Sequence, residues 1–146
     1  MKKLLILLAV ALFIFCSCNE SLEYEPWKDT KEAFGNGVYQ VLHSSEDNED
    51  VNILYNCKHN QCVMTEIENY VKKEKYVYLA GYYHTQKVFC KLNIKSNLLS
   101  YYAEENGDEF VMVYIEKLLK DKHIELLSSF NDFSKKDKKI FESIIK

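Results

Sequence analysis

The chain has 146 residues, with 19 lysines set against 22 Asp and Glu for a formal net charge of −3, and 47% of it is hydrophobic. That length suits one domain and is short for two. The acidic balance argues against nucleic acid or anionic lipid headgroups as the main partner. The lack of arginine removes the side chain best shaped for phosphate recognition.

The chain opens with Lys2 and Lys3, an unbroken apolar run from Leu4 to Phe15, then Cys16-Ser17-Cys18 and Asn19-Glu20. A basic start, a short apolar stretch and a small residue before a cysteine are the layout of a secretory signal. The run is too short to cross a bilayer, which takes about 20 residues. The segment resembles the signal of bacterial lipoproteins, whose lipobox places a small residue directly before the modified cysteine. Phe15 is too bulky to precede a modified Cys16, whereas Ser17 suits Cys18. Phe15 also stands where the family usually has an aliphatic residue. The resemblance implies cleavage after residue 17, acyl chains such as palmitate on Cys18, and anchoring in the bacterial cell envelope outside the cytoplasm. In a cell with two membranes, Asn19 implies delivery to the outer one. A plain cleaved signal and an uncleaved anchor are the alternatives. The resemblance covers this segment alone.

Residues 18–36 read as a tether, with Trp27 pinning its end to the domain. Residues 37–146 read as a single α+β domain. Its first half alternates at period two, the mark of half-buried strands. Gly37–His43 is the first strand, followed by the acidic loop Ser44–Asp50. Val51, Ile53, Tyr55 and Cys57 line one face of the second, with Asn52 and Asn56 opposite. After the Lys58–Gln61 turn comes a strand through Val63, Thr65 and Ile67, then the turn Lys72–Lys75 and the strand Tyr76–Tyr83. Val88 to Ile94 and Leu98 to Ala103 complete the set. Turns of a few residues predict an antiparallel β-meander of about five strands, because parallel strands need long crossovers.

After Asn106-Gly107-Asp108 the apolar period becomes helical, through Val111, Tyr114, Ile115, Leu118 and Leu119. His123–Phe130 fits another strand. Asp132 or Ser134 can cap a last helix with Ile140, Phe141, Ile144 and Ile145 as its apolar stripe. The fold expected is therefore a meander followed by two C-terminal helices. Val51, Ile53, Val88, Leu92, Ile115, Leu118, Ile140 and Ile144 are its expected core.

Cys57, His59 and Cys62 form the sharpest local cluster. No fourth ligand lies nearby, so no metal or other cofactor is expected. Outside the cytoplasm, Cys57 and Cys62 are instead a candidate disulfide across the turn, with Cys57–Cys90 and free thiols as alternatives. That register opposes the face pattern, and a bulge at the turn would reconcile them. A bonded turn would hold His59 and Asn60 as a rigid recognition tip. Cys90 and His84 could pair as a nucleophile, although Cys90 on an apolar face reads as a buried hydrophobe. His43, His59, His84 and His123 read as surface residues, and the carboxylates at 46–50 and 104–109 as solvated loops. The tyrosines at 76, 78, 82, 83, 101 and 102 read as strand packing. No catalytic residue is assigned. The function expected is a membrane-anchored, non-enzymatic envelope lipoprotein that acts through protein contacts. One alternative is an immunity or inhibitor protein that neutralises an envelope-targeted toxin or lytic enzyme. The other is a surface lipoprotein that binds a small ligand or glycan.

Overall fold

The computed structural model describes residues 23–46, 49–105, 117 and 121–145, so the signal segment with Cys18 and nearly all of the helix expected over 111–119 lie outside it. Alternating apolar residues and tight turns build two sheets. Sheet 1 has the order β1 (Thr30–Phe34), β2 (Tyr39–Glu46), β3 (Glu49–Asn56), β4 (Gln61–Met64). Sheet 2 follows as β5 (Glu66–Lys73), β6 (Tyr76–Tyr83), β7 (Gln86–Asn93), β8 (Leu98–Ala103), β9 (Ile124–Leu126). All neighbours are antiparallel except β8 and β9, which run parallel. A 3-10 turn at Phe130–Asp132 leads to α1 (Lys135–Ile144). The architecture is broadly α+β, but the strands form two meanders rather than one.

Thr65 causes the split. Its N–H donates to the Tyr82 carbonyl at 2.9 Å, and its hydroxyl accepts from the His84 N–H at 2.6 Å. These bonds turn the run expected as one strand through Val63 and Ile67 into the end of β4 and the start of β5. Part of the expected tether is also structured, because β1 lies within residues 18–36 and pairs with β2. Gln40 fastens the segment before it. This fully buried amide donates to the carbonyls of Glu25 and Gly37 and accepts from the Thr30 hydroxyl at 2.7 Å. A buried amide is tolerated when its polar atoms are matched in this way.

The sheets pack face to face. Tyr39, Val41, Leu54 and Met64 of sheet 1 meet Val77, Leu79, Val88, Cys90, Leu92, Leu99 and Tyr101 of sheet 2. The outer face of sheet 2 carries Tyr78, Ala80 and Phe89, which Phe133, Phe141 and Ile144 cover. β6 is thus buried on both sides, which is why YVYLAGYY is nearly continuous in apolar character. Asp137 locks α1 down, accepting from the Tyr78 hydroxyl at 2.7 Å, from Lys91 Nζ at 2.8 Å and from the Ser134 hydroxyl at 2.7 Å. Ser134 is the N-cap of α1, as one of the two candidate caps.

Val88, Leu92 and Ile144 are buried as expected, but β3 faces the other way. Pairing of Val41 with Leu54 and of Tyr39 with Asn56 turns Leu54 and Asn56 inward. Val51, Ile53 and Tyr55 do share a face, yet it is the outer one, where they are half-buried. Ile140 is half-buried too, and Ile115 and Leu118 fall outside the described residues.

Antiparallel pairing sends alternate turns to opposite ends of the sandwich. At one end, here the entry end, lie the turns at 35–38, 57–60, 74–75 and 94–97. Backbone bonds link Tyr24 to Asn36, Cys57 to Val38, and Ile94 to Lys75 across it. The far end holds the paired ends of β2 and β3 at Glu46 and Glu49, Thr65, the 84–85 turn and residues 104–105.

Candidate functional site

The β3–β4 turn ends sheet 1 at the entry end. Asn60 takes a left-handed φ of 52°, which asparagine tolerates better than most residues, and its Oδ1 accepts from the Tyr55 hydroxyl at 2.6 Å. The His59 N–H donates to Asn56 Oδ1 at 3.2 Å. The His59 imidazole reaches across to sheet 2, where Nε2 lies 2.8 Å from Asp121 Oδ2. The other carboxylate oxygen takes His123, with Nδ1 at 3.2 Å and the backbone N–H at 2.9 Å. An ionised carboxylate only accepts, so the ring nitrogens facing it carry protons. The Asp121 side chain is 9% exposed, against 38% for His59 and 49% for His123. One shielded carboxylate therefore clasps two half-exposed imidazoles.

Behind the clasp is a small polar cavity of about 60 Å³, with Tyr39, Asn56, Asn97, Asp121 and His123 in its wall. The Tyr39 hydroxyl and Asn97 Oδ1 are buried there without a hydrogen-bond partner among the described residues. Burial first, then the nearby Asp121 charge, pushes the Tyr39 phenol far above its ordinary range. Beside the tip, Trp27 is 49% exposed and its ring lies 5.2 Å from that of Tyr55.

The thiols arrange themselves differently from the candidate disulfide. Cys57, Cys62 and Cys90 are all free. Cys62 pairs with Tyr55 rather than with Cys57, because the turn sets Asn56 opposite Gln61; β4 is bulged only beyond this, between its pairings with Tyr55 and Leu54. The bulge lets Val63 and Met64 both turn inward, and Cys57 stays in the turn. The cross-link that was to hold a rigid tip is therefore absent, and the turn carrying His59 and Asn60 is held instead by the contact with Asp121 and the bond from Tyr55 to Asn60. Burial raises the thiol of Cys57, takes that of Cys62 up to about 11, and takes that of Cys90 well above its ordinary value. None is activated as a nucleophile, since attack requires the thiolate. Cys90 is fully buried in the core.

His59, His84 and His123 are exposed in turns, as read from the sequence, while His43 lies on β2 with Nε2 3.3 Å from Asp50. Tyr78, Tyr83 and Tyr101 are buried, so they pack rather than present themselves. Asp50, Glu104 and Glu105 are exposed at the far end. Sequence reading missed Asp121 as the partner of His59, and Tyr39 and Asn97 in the cavity behind it. The only local hint was Asp121 two residues before His123. No protein-family model, curated protein or solved structure matches this chain.

Proposed function

We propose that this chain is a lipid-anchored envelope protein, modified on Cys18, that works through protein contacts rather than by catalysis, in the manner of an immunity or inhibitor protein. The observation that favours this reading is the placement of its acids. Asp50, Glu66, Glu104 and Glu105 are exposed at the far end, away from where the chain enters the domain. Glu104 and Glu105 border an open cleft of about 630 Å³, with Leu126, Leu127 and Ser129 on its other wall. A tether at one end and acids at the other present the acidic surface outward, and such surfaces speed the capture of a basic partner. The second helix expected over 111–119 belongs to this proposal as part of the connection between β8 and β9, since parallel neighbours need a long crossover.

A second reading keeps His59 and Asn60 as the contact tip and favours a glycan or protein ligand there. The exposed Trp27 beside Tyr55 supports it, because an open aromatic pair is a good stacking surface. One experiment separates the two. The full-length protein is used to recover partners from solubilised envelopes, alongside Glu104→Lys/Glu105→Lys and Trp27→Ala/His59→Ala variants. Capture lost only in the first variant supports the acidic cleft. Loss only in the second supports the tip, and capture unchanged in both sinks both surfaces. Membrane fractionation tests the anchor: Cys18→Ala should release the protein, whereas Cys16→Ala should not.

A further inference from the structure

The net negative charge hides a separation of charge along the sandwich. Lys72, Lys73 and Lys75 lie at the β5–β6 turn, and Lys95 lies in the neighbouring β7–β8 turn; all four are exposed. Lys72 and Lys95 border one open cleft of about 520 Å³ beside Gly35 and Asn36. Lys73 borders a second, of about 450 Å³, together with Lys136 and Lys139 of α1. Among the described residues none of these six lysines is in an ion pair. Glu74 sits among them and the exposed Glu23 lies at the same end, while Asp121 is already shielded and engaged by two histidines.

The chain enters the domain at this same end. Glu23 lines the small cavity with Ser96 and Asn97, and Tyr24 bonds to Asn36 beside the first lysine cleft. Glu23 lies five residues on from Cys18, and five extended residues reach at most about 18 Å. We infer that the lysine-rich entry end docks on an anionic bilayer surface, which orients the domain with its acidic end outward. The inference rests on the lipid anchor at Cys18 for its proximity. Headgroup attraction acts within roughly a Debye length, about 8 Å at physiological salt, and the short tether allows the lysines to come that close. Each lysine that reaches the surface is worth about fivefold in partitioning. The acidic net charge that argued against anionic lipid is an average over two unlike ends.

The test adds full-length protein to preformed vesicles of phosphatidylcholine alone, or of phosphatidylcholine with phosphatidylglycerol. Flotation reports the anchor. Acylation of amines by an impermeant reagent, read by mass spectrometry, reports the face. The expected result is flotation with both vesicles, and severalfold slower acylation of Lys72, Lys73, Lys75 and Lys136 in the anionic ones. Lys31 and Lys87 should be unaffected, and high salt should restore the rates. In a Lys73→Glu/Lys136→Glu/Lys139→Glu variant, whose changes are all at exposed positions, the protection of Lys72 and Lys75 should vanish. Flotation with both vesicles but equal acylation overturns the inference and leaves the anchor standing. Flotation with anionic vesicles only, with the same protection, supports the basic face and overturns the anchor. Flotation with neither overturns both.

Discussion

The imidazole of His59 and the carboxylate of Asp121 meet at 2.8 Å and join the tip of sheet 1 to the segment that leads into β9 at the edge of sheet 2. The two sheets share a core, but this bond ties them together at the entry end, over a cavity that holds the unpartnered Tyr39 hydroxyl. Because Asp121 is shielded and each histidine is half-exposed, removing the acid should matter more than removing either base. Asp121→Ala should destabilise by about 1–3 kcal/mol. His59→Ala and His123→Ala should each lose about 1 kcal/mol or less. Urea unfolding of the single and double variants measures this, and an Asp121→Ala midpoint equal to that of the parent would show the clasp to be idle.

Asp137 sets an acid limit on the fold. Burial pushes its carboxyl up, but the bonds from Lys91, Tyr78 and Ser134 together outweigh burial and hold it below the ordinary value. A depressed carboxyl stabilises the fold fully above its unfolded value of about 3.9 and loses that contribution as pH falls through the folded value. Stability should therefore decline between about pH 5 and pH 2, and Asp137→Asn should be weaker near neutrality yet flatter across that range. Urea midpoints taken across the range decide it. Parallel curves for the two proteins would remove Asp137 from the account.

Phe141 is the keystone of the outer core. It is fully buried and meets Tyr78, Phe89, Phe130 and Phe133 with ring centroids 4.8–5.9 Å away. Phe141→Ala should cost about 3–5 kcal/mol. Because α1 depends on this contact, helical circular dichroism should melt before the sheet signal in the variant.

Gly81 faces the bulge in β5 between Ile67 and Asn69. A Cβ there would collide with the Glu66 carbonyl, which is backbone and cannot swing aside. Gly81→Ala should lose about 1–3 kcal/mol through overpacking, measurable as a lower thermal midpoint. A variant as stable as the parent would mean that the bulge relaxes freely.

The three thiols offer a chemical check on the cysteine geometry. In the native protein near pH 7.5 Cys90 should resist an aromatic disulfide reagent, and Cys62, raised to about 11, should react slowly. All three should react at once in denaturant. Peptide mapping without reductant that finds a Cys57–Cys62 bond would overturn the free-thiol arrangement.

Much of sheet 2 is legible without coordinates. Val88 and Leu92 alternate as a strand should and are buried, the turns before and after Tyr76–Tyr83 fall where charged and polar residues gather, and Ser134 reads as a cap because its hydroxyl accepts from the Asp137 N–H three residues on. These features come from short-range chemistry, in which the spacing of residues and the local hydrogen bond are one and the same.

Other features depend on partners that are distant in the chain. Period two places Val51, Ile53 and Tyr55 on one face but cannot say which face is covered; the pairing of Tyr39 with Asn56 and of Val41 with Leu54 turned the opposite side inward. Thr65 looks like one more strand residue until Tyr82 and His84 claim its hydrogen bonds and divide one meander into two sheets. The His59 backbone bonds locally to Asn56, but the carboxylate that its imidazole meets arrives from Asp121, far along the chain. Net charge likewise sums the lysines and acids without position, and only the alternation of turns sends them to opposite ends. The sequence by itself determined most strands of sheet 2 and the last helix, because periodicity and capping act over a few residues. The tertiary structure decided the faces, the sheet boundary and the site, because burial and charge contacts act across space between residues whose separation in the chain carries no signal.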